Sequence, residues 1–196
     1  MSELENFRVV KLGGSLLGGA GVGARVMQWL QLQPQVPTAW VVGGGKLVDV
    51  VRAWQTTHND SANVSDVDVH WMSVDLMSTT AKMFAGLMGA WPIESSLESL
   101  QQQLRGGTQH VIFDCRAWLG TVENLPCSWS VTSDSIAGRL AIELSCQELV
   151  LLKSCAAVGK TVRENVAQGV IDEHFEKLEL TCQVTIVNLN TAVSNR

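Results

Sequence analysis

A lysine, two glycines and a serine close together near the start of the chain have the chemistry of a phosphate site. Lys11 ends a short β-branched run, and Gly13, Gly14 and Ser15 follow it. Glycines let backbone N–H groups turn toward an anion because no Cβ blocks the approach. The lysine adds a mobile positive charge, and a helix predicted at Ala24–Leu32 adds the partial charge of its N-terminus. These residues predict phosphate binding.

A second glycine-rich loop repeats this chemistry. Gly43, Gly44, Gly45 and Lys46 directly follow the apolar segment Thr38–Val42. In open parallel sheets, ligands bind at the carboxyl ends of the strands. We therefore expect the two loops to face each other across one anion pocket. The alternative is that the glycines only make tight turns between strand and helix.

The elements that must position these loops alternate between strand and helix. Predicted strands are Val9–Leu12, Thr38–Val42, Gln109–Asp114, Glu148–Leu152 and Thr185–Leu189. Predicted helices are Ala24–Leu32, Lys46–Thr57, His70–Met88, Leu97–Leu104 and Asp134–Ser145, the last capped by Ser133, and Val162–Leu178 is partly helical. The segment His58–Asp68 is polar and predicted to be a loop, while Leu47, Val50, Val51 and Trp54 form one apolar helix face. Apolar strands joined by helices predict a mostly parallel sheet covered on both faces, in one domain.

Composition restricts the classes of function. The 196 residues carry a net charge of −5, which argues against nucleic-acid binding by bulk electrostatics. No apolar run approaches the roughly 18 residues that span a bilayer, and the acidic start lacks a signal-peptide core, so we expect a cytoplasmic protein without a membrane partner. The five cysteines are odd in number and include no C-x-x-C pair, which favours buried free thiols over a metal site or a disulfide framework.

Three motifs together resemble the amino acid kinase family. Lys11–Ser15, Val41–Gly45 and Val131–Ala137 occur in the order found in that family, which includes acetylglutamate, aspartate, carbamate and uridylate kinases. Trp129–Ala137 and Gly43–Arg52 look most like a short branch that contains a kinase of methanofuran biosynthesis. The resemblance implies a three-layer α/β/α sandwich like that of carbamate kinase. It covers residues 7–155 and then fades, which implies one domain over residues 1–196 with a shortened C-terminal nucleotide-binding part.

The resemblance also implies a role for individual residues. Lys11 would stabilise the phosphoryl group in transit, and Asp134 would orient Lys11 or bind magnesium (Mg2+) through water. Gly13, Gly14 and Ser15 would hold the phosphates of ATP, with Lys153 near the adenine; Gly43, Gly44, Gly45, Lys46, Thr132 and Ser133 would contact the acceptor. From the residues alone, Asp134 could equally complement a helix dipole, and Lys46 and Lys153 could be solvated surface lysines.

The implied activity is direct transfer of the γ-phosphoryl group of Mg-ATP to a phosphate or carboxylate acceptor, with an aminomethylfuran-methyl phosphate as one candidate. A nucleotide-binding or oxyanion-binding storage protein of the same fold is an alternative without catalysis. Ser154–Thr161 misses a phosphate-binding P-loop by one residue, and Gly19–Ala24 fits a loose dinucleotide pattern without following a strand directly. Asp172, Glu173 and His174 are interpreted as a solvated turn. A homodimer is expected from the frequency of such assemblies alone.

Overall fold

Six strands form one sheet in the computed structural model, which describes residues 5–58, 64–89 and 91–192. They are β1 (Glu5–Leu12), β2 (Thr38–Val42), β3 (Ile93–Glu94), β4 (His110–Phe113), β5 (Cys146–Lys153) and β6 (Gln183–Asn188). Their order in the sheet is β3-β4-β2-β1-β5-β6, and every pairing between them is parallel. The predicted α/β class with a mostly parallel sheet is confirmed.

Helices connect the strands and cover both faces of the sheet. They are α1 (Gly14–Leu17), α2 (Val22–Gln31), α3 (Lys46–His58), α4 (Asp66–Met88), α5 (Leu97–Arg105), α6 (Arg116–Leu119), α7 (Ser133–Glu143) and α8 (Val162–Ala167), with a 3₁₀ helix at Glu173–Lys177. Val9 packs in the core on the side of α5, α6 and α7, whereas Val10 and Leu12 pack on the side of α2. This alternation along β1 puts Lys11 on the same face as Val9, toward α7. The result is the predicted three-layer sandwich.

Several predicted boundaries needed correction. Thr132, not Ser133, is the N-cap of α7, because the Thr132 hydroxyl accepts the bond from the Asp134 N–H. The polar segment after α3 is shorter than predicted, since Ser65 and Asp68 form a capping box that starts α4 at Asp66. Residues 59–63 of that predicted loop lie outside the described residues. The sequence analysis missed β3, α1 and α6, which are two to four residues long.

The apolar face predicted for helix α3 is largely exposed. Leu47, Val50 and Trp54 are 38%, 68% and 36% exposed, and no residue of the helix is fully buried. Helix α3 packs against α4 rather than onto the sheet, which leaves its apolar side chains partly open to solvent.

Two further sequence expectations concern the surface. No helix within the described ranges combines the length and apolarity needed to cross a bilayer. Cys115 and Cys146 are buried as expected, but Cys155 is exposed, so the expectation of uniformly buried thiols is wrong for that residue. Burial raises the pKa of the Cys115 thiol to about 12, which keeps it protonated at neutral pH.

Candidate functional site

The two glycine-rich loops touch through their main chains. A Cβ on Gly14 would lie 2.1 Å from the Gly45 nitrogen, and a Cβ on Gly45 would lie 2.3 Å from the Gly14 carbonyl oxygen. Gly45 also has a φ of +55°, a left-handed conformation that favours glycine. Since β1 and β2 are paired in parallel, both loops leave the same edge of the sheet. The expected convergence of the two loops is confirmed.

Two lysines share one buried carboxylate beside these loops. Lys11 Nζ lies 2.9 Å from Asp134 Oδ1, and Lys153 Nζ lies 2.5 Å from Asp134 Oδ2. The three side chains are only 6%, 11% and 4% exposed for Lys11, Lys153 and Asp134. Lys11 is the penultimate residue of β1, Lys153 is the last residue of β5, and Asp134 lies in the first turn of α7. The lysine–carboxylate–lysine cluster thus joins two neighbouring strand ends to one helix start.

The cluster carries more positive than negative charge. Burial alone would raise the pKa of Asp134, but the two ammonium groups outweigh burial and hold that pKa below its usual value. Burial and the neighbouring Lys11 lower the pKa of Lys153, against the attraction of Asp134 and Asp172. Asp172 is itself occupied by hydrogen bonds at the start of α7, so the two ammonium groups share only the Asp134 carboxylate directly and remain suited to a further anion.

Asp172 fixes the start of α7. Its carboxylate accepts bonds from the Thr132 N–H at 2.9 Å, from the Thr132 hydroxyl at 2.7 Å and from the Ser135 N–H at 3.0 Å. It also bonds the Ser135 hydroxyl and the Phe175 N–H. The interpretation of Asp172–His174 as a solvated turn is therefore wrong, since His174 is also buried. Asp172 holds in place the helix turn that carries Asp134.

Two cavities meet at the cluster. The smaller, of about 220 Å³, is lined by Gly14, Ser15, Gly43–Gly45 and Ser133 together with residues of α3 and α4. The larger, of about 660 Å³, is lined by Asp134, Lys153 and the segment Val166–Glu173. Lys11, Trp129 and Thr132 line both. Lys11 therefore stands where a group could pass from one cavity to the other.

Some predicted residues occupy positions that do not match their predicted roles. The Gly13 N–H donates to the Leu152 carbonyl at 2.8 Å and the Gly43 N–H to the Leu12 carbonyl at 2.9 Å, so both donors extend the sheet. Ser15 and Gly14 line the smaller cavity, although they were predicted to hold ATP. The Lys46 side chain lies against Gly18, outside the sets of residues that line the two cavities.

The prediction for Lys153 also needs revision. Its interpretation as an exposed loop lysine is wrong, because it ends β5 and contacts Asp134. The contact with Asp134 places the Lys153 ammonium near Lys11. The resemblance predicted a position near an adenine instead. Asp134 in turn is buried and paired with two lysines, so it does more than complement the dipole of α7.

The sequence analysis missed the residues that α3, α4 and the loop before α7 bring to the smaller cavity. Asp49 and Arg52 come from α3, His70 from α4, and Trp129 from the loop. Arg52 lies 4.5 Å from the centre of the Trp129 ring and 3.3 Å from the Asp49 carboxylate. Asp49 and Arg52 are one helical turn apart, which is the signal that could have identified them.

The P-loop alternative is not supported by the loop that follows β5. The N–H groups of Val158 and Gly159 donate to the Asn165 side chain at 2.9 and 3.3 Å. Those of Lys160 and Thr161 donate to Glu164 at 2.7 and 3.0 Å. A phosphate loop must offer its N–H groups to the ligand, so this interpretation is wrong. The dinucleotide alternative is also wrong, because its glycines follow α1 rather than a strand.

The same fold occurs in solved kinase structures. The uridylate kinase (UMP kinase) of Ureaplasma parvum superposes with a TM-score of 0.65 at 14% identity, covering 95% of this chain and 91% of that one. The uridylate kinase of Archaeoglobus fulgidus gives 0.60 at 14% identity over 96% of both chains. The carbamate kinase of Giardia lamblia bound to AMP-PNP gives 0.54 at 11% identity over 96% and 94%.

Sequence comparison adds no relative. No protein-family model matches the chain, and no curated protein matches it. At identities of 11–14%, the structural matches establish the shared fold, which members of the amino acid kinase family also have. The function must therefore be argued from the site.

Proposed function

We propose that this protein is an ATP-dependent small-molecule kinase, which transfers the γ-phosphoryl group to a phosphate or carboxylate acceptor. The observation that carries the proposal is the buried Lys11–Asp134–Lys153 cluster between two cavities. An aminomethylfuran-methyl phosphate remains the finer candidate for the acceptor, on the resemblance alone. The larger cavity, at about 660 Å³, lies within the range of roughly 300–1,000 Å³ usual for cofactor sites and is proposed to hold ATP.

The chemistry follows from the charge of the cluster. Phosphoryl transfer passes through a loose transition state, so the protein must mainly align the reactants and stabilise charge on the oxygens in transit. Lys11 lines both cavities, so its ammonium can contact the phosphoryl group during transfer. Lys153 adds a second ammonium group on the side of the larger cavity, where ATP is proposed to bind. Asp134 contacts both lysines directly and so holds them in position. No covalent enzyme intermediate is needed.

The contacts of Asp134 support one of the two roles that the resemblance implied for it. Each of its two carboxylate oxygens lies within 2.9 Å of a lysine ammonium, which supports the orientation of the lysines. Binding of magnesium through water, the other implied role, remains a proposal.

Replacement of Lys11 by alanine tests the proposed activity. We expect the kcat for ADP release, measured by a coupled assay over a panel of phosphate and carboxylate acceptors, to fall about 10²–10³-fold. A loss of this size is typical when one preorganised hydrogen-bond donor to the transition state is removed. The fold should persist, because Asp134 keeps Lys153 as its partner. The matched control is Lys46→Ala, whose side chain lies outside both cavities, and it should retain activity.

The same experiment separates catalysis from binding alone. If the protein binds Mg-ATP, a Mg-ATP concentration of 100 times the dissociation constant should raise the free energy of unfolding by about 2.7 kcal/mol, which thermal denaturation can detect. Stabilisation without ADP release for any acceptor would favour the nucleotide-binding or oxyanion-binding storage protein. A phosphorylated enzyme isolated during turnover would contradict direct transfer. The expected homodimer remains a proposal that sedimentation can test.

A further inference from the structure

The smaller cavity has a size and a lining that define a class of acceptor. Its volume of about 220 Å³ is below the roughly 300 Å³ at the lower end of usual ligand pockets. The small volume therefore favours an acceptor more compact than a nucleotide, although uridylate kinases share the fold.

The cavity floor is apolar. Val74 and Met77 of α4, Val131 before α7 and Ile136 of α7 line it, and all four are buried. Apolar side chains without polar partners favour an apolar ligand surface, because a polar ligand atom placed there would lose its hydrogen bonds to water. The acceptor should therefore have a small apolar body, such as one ring or a short chain.

The mouth of the cavity carries a cation that has two side-chain partners. Among the described residues that line it, Lys11 and Arg52 are positively charged, and Lys11 is paired with Asp134. The guanidinium of Arg52 is stacked on Trp129 at 4.5 Å from the ring centre and paired with Asp49 at 3.3 Å. The Trp129 indole N–H donates to Gln55 at 2.6 Å, which ties the ring to α3.

This support matters for recognition. Stacking on Trp129 restricts the guanidinium, so it loses less freedom on binding than a free side chain would, and its planar fork matches the oxygens of a phosphate or a carboxylate. Arg52 is half exposed, so it can reach an anion that enters the mouth of the cavity.

We propose that the acceptor is a compact organic anion with a small apolar body, and that Arg52, held by Trp129 and Asp49, selects it over nucleotides. This inference rests on the proposed kinase function, because that function makes the smaller cavity the binding site for the acceptor. Arg52 is then a specificity-determining residue. Its charge recognises the anionic group, and the volume behind it limits the body of the ligand.

Calorimetric titration of the full chain without ATP tests the proposal. The probes are benzyl phosphate, as a phosphate monoester with a single ring, and UMP, as the nucleotide. We expect benzyl phosphate to bind and Arg52→Gln to weaken its binding about ten-fold or more, since a charge-assisted contact is lost. UMP should not displace benzyl phosphate, even if it binds in the larger cavity.

Arg116→Gln is the matched control. Arg116 is stacked on Trp71 at 4.4 Å and paired with Asp75, and at 44% exposure it resembles Arg52 at 49%, but it lies outside the smaller cavity. It should leave the affinity for benzyl phosphate unchanged. Equal losses in the two variants would overturn the proposal, as would displacement of benzyl phosphate by UMP or the absence of any binding of benzyl phosphate at millimolar concentration.

The outcomes separate this inference from the proposed function. Binding of benzyl phosphate that depends on Arg52, without ADP release for any acceptor of the panel, would support Arg52 as the residue that selects the ligand of the smaller cavity and would contradict the kinase. ADP release with UMP as acceptor that is lost in Lys11→Ala would support the kinase and overturn the inference.

Discussion

Replacement of Asp134 by asparagine tests the charge balance on which the site depends. Asparagine keeps the shape of the side chain but removes the negative charge that two lysines share. Because the three side chains are almost fully buried, the ammonium groups of Lys11 and Lys153 would be left close together without a counterion. Removing one partner from a buried ion pair costs about 3–5 kcal/mol. We expect a loss of that size in the free energy of unfolding, measured by urea denaturation.

A double-mutant cycle identifies the origin of the loss. Lys153→Met leaves Lys11 and Asp134 as a balanced pair, so its own cost should be smaller than that of Asp134→Asn. Combining the two changes removes one of the two like charges, and the double variant should be more stable than the sum of the single effects predicts by about 1–3 kcal/mol. Additivity within about 0.5 kcal/mol would refute the argument that the two lysines interact through Asp134.

The pH dependence gives an independent check. The pKa of Asp134 in the folded protein lies below its ordinary value of 3.8, because the two lysines outweigh the effect of burial. Its contribution to stability is therefore complete above the unfolded pKa and is lost as the pH falls through the folded value. The difference in unfolding free energy between the wild type and Asp134→Asn should shrink in acid. A difference that stays constant down to low pH would contradict the assigned direction of the shift.

Three further changes probe other parts of the site. Burial lowers the pKa of Lys153 from 10.5, so the free energy of unfolding should rise with pH between the pKa of the folded protein and 10.5. Lys153→Met should remove that rise. Profiles of unfolding free energy against pH that run parallel in the variant and the wild type would contradict the lowered pKa. Gly14→Ala would place a Cβ 2.1 Å from the Gly45 nitrogen and should cost about 1–3 kcal/mol or more by denaturation, whereas Gly86→Ala, which meets no atom within 4 Å on α4, should not destabilise. Asp172→Asn should lower both the melting temperature and the kcat for ADP release, since an amide cannot accept all the bonds at the start of α7; unchanged kcat would show that the position of Asp134 does not depend on Asp172.

The main elements and the meeting of the two glycine-rich loops could be predicted from the sequence. Apolar runs such as Thr38–Val42 are buried along their whole length, and the periodicity of 3.6 identified the long helices. The loops Gly13–Ser15 and Gly43–Gly45 leave the ends of parallel strands, so a shared edge followed from the sheet type. The place of Asp134 beside Lys11 was predicted through the resemblance.

The exposure of helix α3 could not be predicted from its periodicity. A helical pattern shows that Leu47, Val50 and Trp54 share a face, but it does not show whether that face meets the sheet. The two halves of the smaller cavity are also far apart in the chain, since Arg52 and Trp129 are brought together only by the tertiary fold. The role of Asp172 is equally long-range, because its partner Thr132 is 40 residues away.

The inward position of Lys153 could have been found from strand alternation. Leu149 and Leu151 face the same core as Val9 of the adjacent strand, and Lys153 continues that face by one more step of two residues. Lys11 continues the face of Val9 in the same way. Two lysines near the ends of neighbouring parallel strands and on one face should converge, but this signal also needs the order of the strands, which only the structure shows.

The contact between Gly14 and Gly45 has a consequence for how this scaffold can diversify. Where two peptide planes touch without side chains between them, their separation is set by the thickness of the backbone, and no substitution can adjust it gradually. If the protein is the proposed kinase, the distance between its donor and acceptor sites would then be a fixed dimension of the scaffold. New acceptors would have to arise through changes in α3, α4 and the loop that carries Trp129, while the two glycine corners stay as they are.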